Sequence, residues 1–254
     1  MKKTIRIIII VLCILICLCG GGYLVYEHFN REENKDIYEK LQEQVHEEIV
    51  VPEQKVEEEE EPDYIPINFE KLRETNEDIY AWIQIPDTNI DYPILQHPTD
   101  DSYYLDHTIE GRQGYPGSIY TASLNAKDFS DFNTVIYGHN MKNGSMFKHL
   151  HKFEDAKFFE EHDTVTIYTE TEHKEYKIFA AVVYSDRHLL YGFATETTEG
   201  RLKFLQSLKD THSMKNQYRD DVKVDENSHI ITLSTCIGGR PNNRYLVVAV
   251  EVDD

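Results

Sequence analysis

The chain reads as a mainly β protein: an eight-stranded barrel with an N-terminal helical segment and a helical insertion ahead of its last two strands. Three observations predict this. Eight short runs rich in β-branched and aromatic residues lie between Ala81 and Val252, bounded by Pro, Gly, Asn or Asp. Residues 67–80, just before them, carry apolar side chains at helical spacing. Leu202, Leu205 and Leu208 repeat that spacing inside the long stretch between Tyr184 and His229. A closed barrel suits so many short strands because it leaves no long exposed edge.

The N-terminus comes before this domain and differs from it. Lys2, Lys3 and Arg6 precede an apolar run over 7–25. At a rise of about 1.5 Å per residue such a run nearly spans a hydrocarbon core of roughly 30 Å. Glu27, Glu32 and Glu33 follow it, so the positive-inside bias puts the N-terminus in the cytoplasm and the remainder outside. A cleaved signal peptide competes with this reading. Gly20, Gly21 and Gly22 offer small residues, but no Ala-x-Ala pattern follows. Ile16 and Leu18 are too bulky before Cys17 and Cys19 for lipoprotein processing. Residues 1–26 are therefore expected to be an uncleaved single-pass anchor, with Cys13, Cys17 and Cys19 as small apolar residues within it.

Residues 27–63 read as an acidic stalk. They are rich in Glu, Lys and Gln, and 57–61 are all Glu. Like charges at neighbouring positions repel and favour an extended or partly helical spacer. Ile37, Leu41, Val45 and Ile49 recur at helical spacing, which leaves a helix or short coiled coil open. The formal net charge of -20 argues against nucleic acid as a partner.

Residues 64–254 are the expected folded domain. A helix is predicted over 67–80 with Asn68 as its cap. The expected strands are 81–85, 90–95, 117–122, 134–138, 164–169, 176–184, 229–235 and 245–252, and the insertion helix is 198–208. No internal repeat is present.

One residue stands out as reactive. Cys236 is the sole cysteine beyond Cys19, and it ends the run Thr232-Leu233-Ser234-Thr235-Cys236 after an apolar stretch. A lone thiol at a strand end reads as a nucleophile, but near pH 7 it needs a base or a lowered pKa. Of twelve histidines, His149, His151, His162, His173 and His212 sit in polar company and are expected at the surface. A metal at His149-x-His151 finds no cysteine or carboxylate at ligand spacing, and no calcium-loop spacing occurs, so no metal is expected. His139 ends the apolar run Val135-Ile136-Tyr137-Gly138, where Gly138 is expected to let the backbone turn. Arg244 opens the last expected strand, after a short loop over 237–243. Antiparallel neighbours joined this way bring their ends together, so Arg244 can bind a carbonyl or an oxyanion. Arg240, in mid-loop, is expected to be solvated.

Thr232-Leu233-Ser234-Thr235-Cys236, the upstream Tyr137-Gly138-His139-Asn140 and the downstream Arg244 resemble the sortase family. The resemblance covers about 67–252. The passages 81–86 and 89–94, together with the helical insertion before the cysteine strand, are similar to class B sortases. It implies an eight-stranded sortase-type barrel with added helices, and a cysteine transpeptidase on the surface of a Gram-positive cell. Cys236 would attack a threonine carbonyl in a C-terminal sorting signal of surface proteins, His139 would move the proton, and Arg244 would hold the carbonyl. A thioacyl enzyme would then be resolved by an amino group of a lipid II-type peptidoglycan precursor. Thr235 is expected to shape the oxyanion site, and Ser234 and Tyr137 to contact substrate. No cofactor is expected. The compact Ile237-Gly238-Gly239 loop departs from class B members with a longer, more polar loop, and bears on which motif is read.

Three alternatives stay open on the sequence. A hydrolase of similar fold would share Cys236 and His139 and release its acyl group to water. A pilin-polymerising sortase commonly adds a lid or a second membrane helix, and neither is read here. In a binding barrel without catalysis, Cys236 would be an inert buried thiol.

Overall fold

The structure, a computed structural model, describes residues 2–47 and 65–252. The chain divides into two compact units, Met1–Leu41 and Gln42–Asp254. Helix α1 (Lys2–Glu47) supplies all of the first unit. Its stretch Ile5–Tyr26, 22 residues with mean hydropathy 2.9, is long and apolar enough by length and composition to cross a membrane. The helix continues to Glu47, so the acidic segment begins as the helix that its apolar spacing left open. Ile49 and the acidic run 57–61 lie outside the described residues.

In the second unit the last turns of α1 are tied to the sheet domain. Gln42 donates to the Asp91 carbonyl at 2.6 Å, and Val45 is buried. Helix α2 (Phe69–Arg73) is capped by Asn68, whose side chain accepts from the Lys71 amide. It is shorter than the 67–80 expected. Asn76 accepts from the Asp78 amide and donates to the Ile109 carbonyl, which turns the chain early. Ile79 and Tyr80 then go into a strand.

The strands are β1 (Ile79–Gln84), β2 (Asp91–Leu95), β3 (Tyr120–Thr121), β4 (Asn133–Tyr137), β5 (Thr164–Tyr168), β6 (His173–Ser185), β7 (Gln217–Tyr218), β8 (Ile230–Ile237) and β9 (Arg240–Glu251). Their order is β5-β1-β2-β3-β4-β8-β9-β6-β7, and β5 also pairs with β6. Eight strands therefore close a barrel, and the two-residue β7 is an addition on β6. β3 is only the centre of the 117–122 expected. His173, expected at the surface, begins β6, and His162 closes helix α3 (Ala156–Glu161).

Two pairings are parallel, β2 with β3 and β4 with β8. The second explains why Ile230-Ile231-Thr232-Leu233 shows no strict alternation of polar and apolar residues. Ile231 and Leu233 are fully buried, and Ile230 joins Val182, Leu246 and Val248 in a second core. Helix α4 (Thr198–Lys209) supplies Phe204 and Leu208 to that core. Strands covered on both faces lose the alternation of a half-exposed strand. Burying Phe204 and Leu208 contributes about 1.5–3 kcal/mol each before entropy is subtracted.

Candidate active site

Parallel pairing of β4 with β8 sets the site. Tyr137 lies opposite Ser234, and the ladder goes on beyond it, with the Gly138 amide donating to the Ser234 carbonyl at 3.1 Å. His139 is two residues past Tyr137, and Cys236 is two past Ser234. Both strands run the same way, so the histidine and the thiol emerge at the same end of the barrel. The Thr235 hydroxyl closes the seam by donating to the Gly138 carbonyl at 2.7 Å.

Gly138 is there for space. A Cβ on it would stand 2.5 Å from Ile119 and 2.7 Å from Phe147. The expected turn is thus a close approach of packed side chains, and no left-handed backbone is involved.

The other side of the thiol comes from a hairpin. β8 and β9 are joined at Gly238-Gly239, with φ +74° at Gly239, a left-handed geometry that favours glycine. Cys236 faces Arg244 across the ladder, while Ile237 faces Arg240, so β9 bulges between them. Arg244 is therefore the fifth residue of its strand, four later than expected, because β9 already begins at the exposed Arg240. Its Nη1 donates to the bulge carbonyls of Pro241 at 2.9 Å and Asn243 at 3.0 Å. Those bonds fix the guanidinium, which keeps further donors free in its fork.

A cleft of about 200 Å³ gathers all six residues singled out from the sequence: Cys236, His139, Arg244, Ser234, Thr235 and Tyr137. Cys236 is exposed and has a free thiol. The His139 Nε2 donates to the Leu105 carbonyl at 2.7 Å, which leaves Nδ1 to handle protons. The Tyr115 ring meets the imidazole edge-on at 5.2 Å. Burial pushes the Tyr137 hydroxyl well above its ordinary pKa, and its oxygen has no hydrogen-bond partner among the described residues. Ser234 and Thr235 are almost fully buried, so their side chains wall the cleft more than they project into it. Among the described residues no cluster able to hold a metal ion occurs.

Several residues of the site escape sequence reading. Tyr120 stacks on Tyr137 at 5.3 Å, and burial, then Tyr137 and Cys236, raise its hydroxyl pKa while Arg244 opposes them. Residues 185–189 form the facing wall, where burial pushes the His188 imidazole below its ordinary value and Asp101 opposes it. His151, expected at the surface, is largely buried, and its Nε2 lies 3.1 Å from the Cys236 carbonyl oxygen. His149 accepts from the Asn89 amide. Asn140 is marked by standing next to His139 in the sequence; Leu105, a backbone acceptor, and His151, twelve residues further on, carry no side-chain pattern that marks them.

A family model for the sortase domain matches residues 83–252. The chain belongs to the sortase family. Its relatives place it in class B. It is similar to sortase B of Listeria monocytogenes, 41% identical over 168 residues. That match spans 65% of this chain and 65% of the Listeria protein. Among solved structures, Clostridium perfringens sortase B is 31% identical with a TM-score of 0.63, covering 73% of this chain and 100% of that one. A Staphylococcus aureus sortase B–substrate complex has a TM-score of 0.70 at 25% identity, covering 89% of this chain and 99% of that one. The closed eight-stranded barrel is the architecture these sortases share with it.

Proposed function

We propose that this class B sortase is a membrane-anchored cysteine transpeptidase that joins surface proteins to the cell wall. The observation that carries the reading is the single cleft holding Cys236, His139 and Arg244, gathered where β4 and β8 end and β9 bulges. The Cys236 thiol passes its proton to His139 Nδ1, and the thiolate sulfur attacks the threonine carbonyl carbon of a C-terminal sorting signal. Arg244 holds the carbonyl oxygen as negative charge develops on it. The scissile C–N bond breaks, and the departing amine takes a proton from His139 Nδ1, since Nε2 is committed to Leu105. The resulting thioacyl enzyme meets an amino group of a lipid II-type precursor. That amine gives its proton to His139, the C–S bond breaks, and the thiolate is restored.

The cleft walls serve the peptide. Tyr137 and Ser234 contact it, and Thr235 shapes the oxyanion side. Residues 1–26 serve as the anchor with the N-terminus in the cytoplasm, 27–63 as the stalk, and 64–254 as the extracellular catalytic domain. The apolar stretch Ile5–Tyr26 and the preceding Lys2 and Lys3 support this topology.

The test uses the full chain in detergent with a panel of sorting-signal peptides, with and without triglycine. Amine-dependent product that vanishes in Cys236→Ala is expected. Cleavage to the free acid at a rate indifferent to triglycine would make the protein a hydrolase and refute the transpeptidase reading.

A further inference from the structure

We infer that Asn140, His151 and Glu154 form a clamp that holds the backbone of Cys236 in register with His139, and that they act as positioning residues for the nucleophile. The inference rests on the reading of Cys236 as that nucleophile. Asn140 directly follows His139, His151 and Glu154 lie in the 3-10 helix Phe147–Glu154, and the clamped carbonyl is at the end of β8.

The distances define a relay. His151 Nδ1 lies 2.7 Å from Glu154 Oε1. A carboxylate only accepts, so Nδ1 carries a ring proton; in the neutral ring Nε2 then accepts, and its 3.1 Å approach to the Cys236 carbonyl oxygen becomes a donor bond only when the ring is doubly protonated. Asn140 Nδ2 stands 2.9 Å from that Nε2 and 2.9 Å from the Cys236 carbonyl oxygen. One amide N–H goes to the ring and the other to the carbonyl. Glu154 thereby fixes the tautomer of His151, His151 fixes the amide of Asn140, and Asn140 holds Cys236.

The relay is built in. The His151 ring stacks on Tyr245 of β9 at 5.2 Å and 21°. The side chains of His151 and Glu154 are 14% and 19% exposed. Lys215 pairs with the Glu154 carboxylate, and the Gln217 amide donates to the Glu154 backbone carbonyl at 3.3 Å. A tie that only fastened this helix to the sheet could end on any carbonyl. This one starts beside His139, whose own carbonyl accepts from the Phe147 amide, and ends where the β8–β9 register breaks, between Cys236 and Ile237.

The test compares the full-length chain with His151→Phe, which keeps a ring on Tyr245, with Asn140→Ala and with the double variant. The readouts are kcat and KM for amine-dependent transfer, amide hydrogen exchange over 236–240, and Tm. Each single change is expected to lower kcat about 10- to 100-fold with little change in KM, as for a misplaced reacting group. The double variant is expected to fall no further than the worse single one, because both break one relay. Exchange should rise over 236–240 in all three. Glu154→Ala replaces His151→Phe should the latter not fold, and Glu154→Gln, which still offers Nδ1 an acceptor, should recover kcat. Wild-type kcat in either single variant, losses that multiply in the double, or unchanged exchange over 236–240 would overturn the clamp. A wild-type chain that transfers no peptide refutes the catalytic reading instead, and the exchange data then decide the clamp alone.

Discussion

The two halves of the cleft are held in different ways. Cys236 and Arg244 face each other across one hairpin, eight positions apart, and a two-glycine turn suffices to bring them together. His139 is held by distant parts of the chain: the Leu105 carbonyl, 34 residues earlier, takes its Nε2 proton, and β8 aligns its strand. The pairing of Cys236 with Arg244 is a local product of one hairpin, to which Asn140 adds a distant tie at the Cys236 carbonyl, whereas the imidazole side depends on the packing of the whole barrel. Changes far from the chemistry should therefore reach the reaction more easily through His139 than through Cys236.

The comparison can be broken at each end. His139→Ala should lower kcat by about 10²–10⁴-fold, the usual worth of general acid–base catalysis, with KM little changed. Steady-state transfer to triglycine checks it. Arg244→Ala should cost about 10²–10³-fold, as for loss of an oxyanion donor. Arg244→Lys should recover only part of that, because an ammonium cannot both hold the bulge carbonyls of Pro241 and Asn243 and present a second flat donor edge.

Gly117→Ala sharpens the contrast. Gly117 has φ +71°, and a Cβ there would stand 2.5 Å from the Leu105 oxygen and 2.7 Å from that of Tyr104. The added methyl pushes directly on the acceptor of His139. It should lower kcat about tenfold or more while iodoacetamide still labels Cys236 at the wild-type rate. Equal loss of labelling would erase the distinction between the two halves.

The smallest effect is on stability in acid. Burial works against ionisation of Glu154, but Lys215 and His151 outweigh it and hold the carboxyl below its ordinary value. A depressed folded-state pKa adds stability above the unfolded value, and that stability is lost as pH falls through the folded value. Glu154→Gln should flatten the fall of Tm below about pH 4.5, the ordinary carboxyl value. An unchanged acid slope would show that the pair contributes nothing measurable.

The same contrast explains how much the sequence disclosed. Eight barrel strands and the insertion helix were legible, because each carries its own periodicity and punctuation. Cys236, His139 and Arg244 were legible as residues ending or opening apolar runs. The exact place of Arg244 was not, since a bulge set by Pro241–Asn243 leaves no periodic trace. Helix 67–80 was overcalled because Asn76 turns the chain through contacts with Ile109 and Tyr104, some thirty residues away. The parallel pairing of β4 with β8 and the burial of His151 under Tyr245 are likewise long-range facts with no local signature. Polar neighbours made His151 look like a surface residue, and only its partners show otherwise.

The central claim is that Cys236 carries the acyl group between two amines. Intact-mass analysis of the full chain, mixed with a sorting-signal peptide and no amine, tests it most directly. The account predicts a thioacyl adduct on Cys236 that persists in water and disappears when triglycine is added, with ligated peptide formed in step. An adduct that water clears as fast as triglycine does, or a wild-type chain that cleaves the peptide with Cys236 blocked, would contradict it.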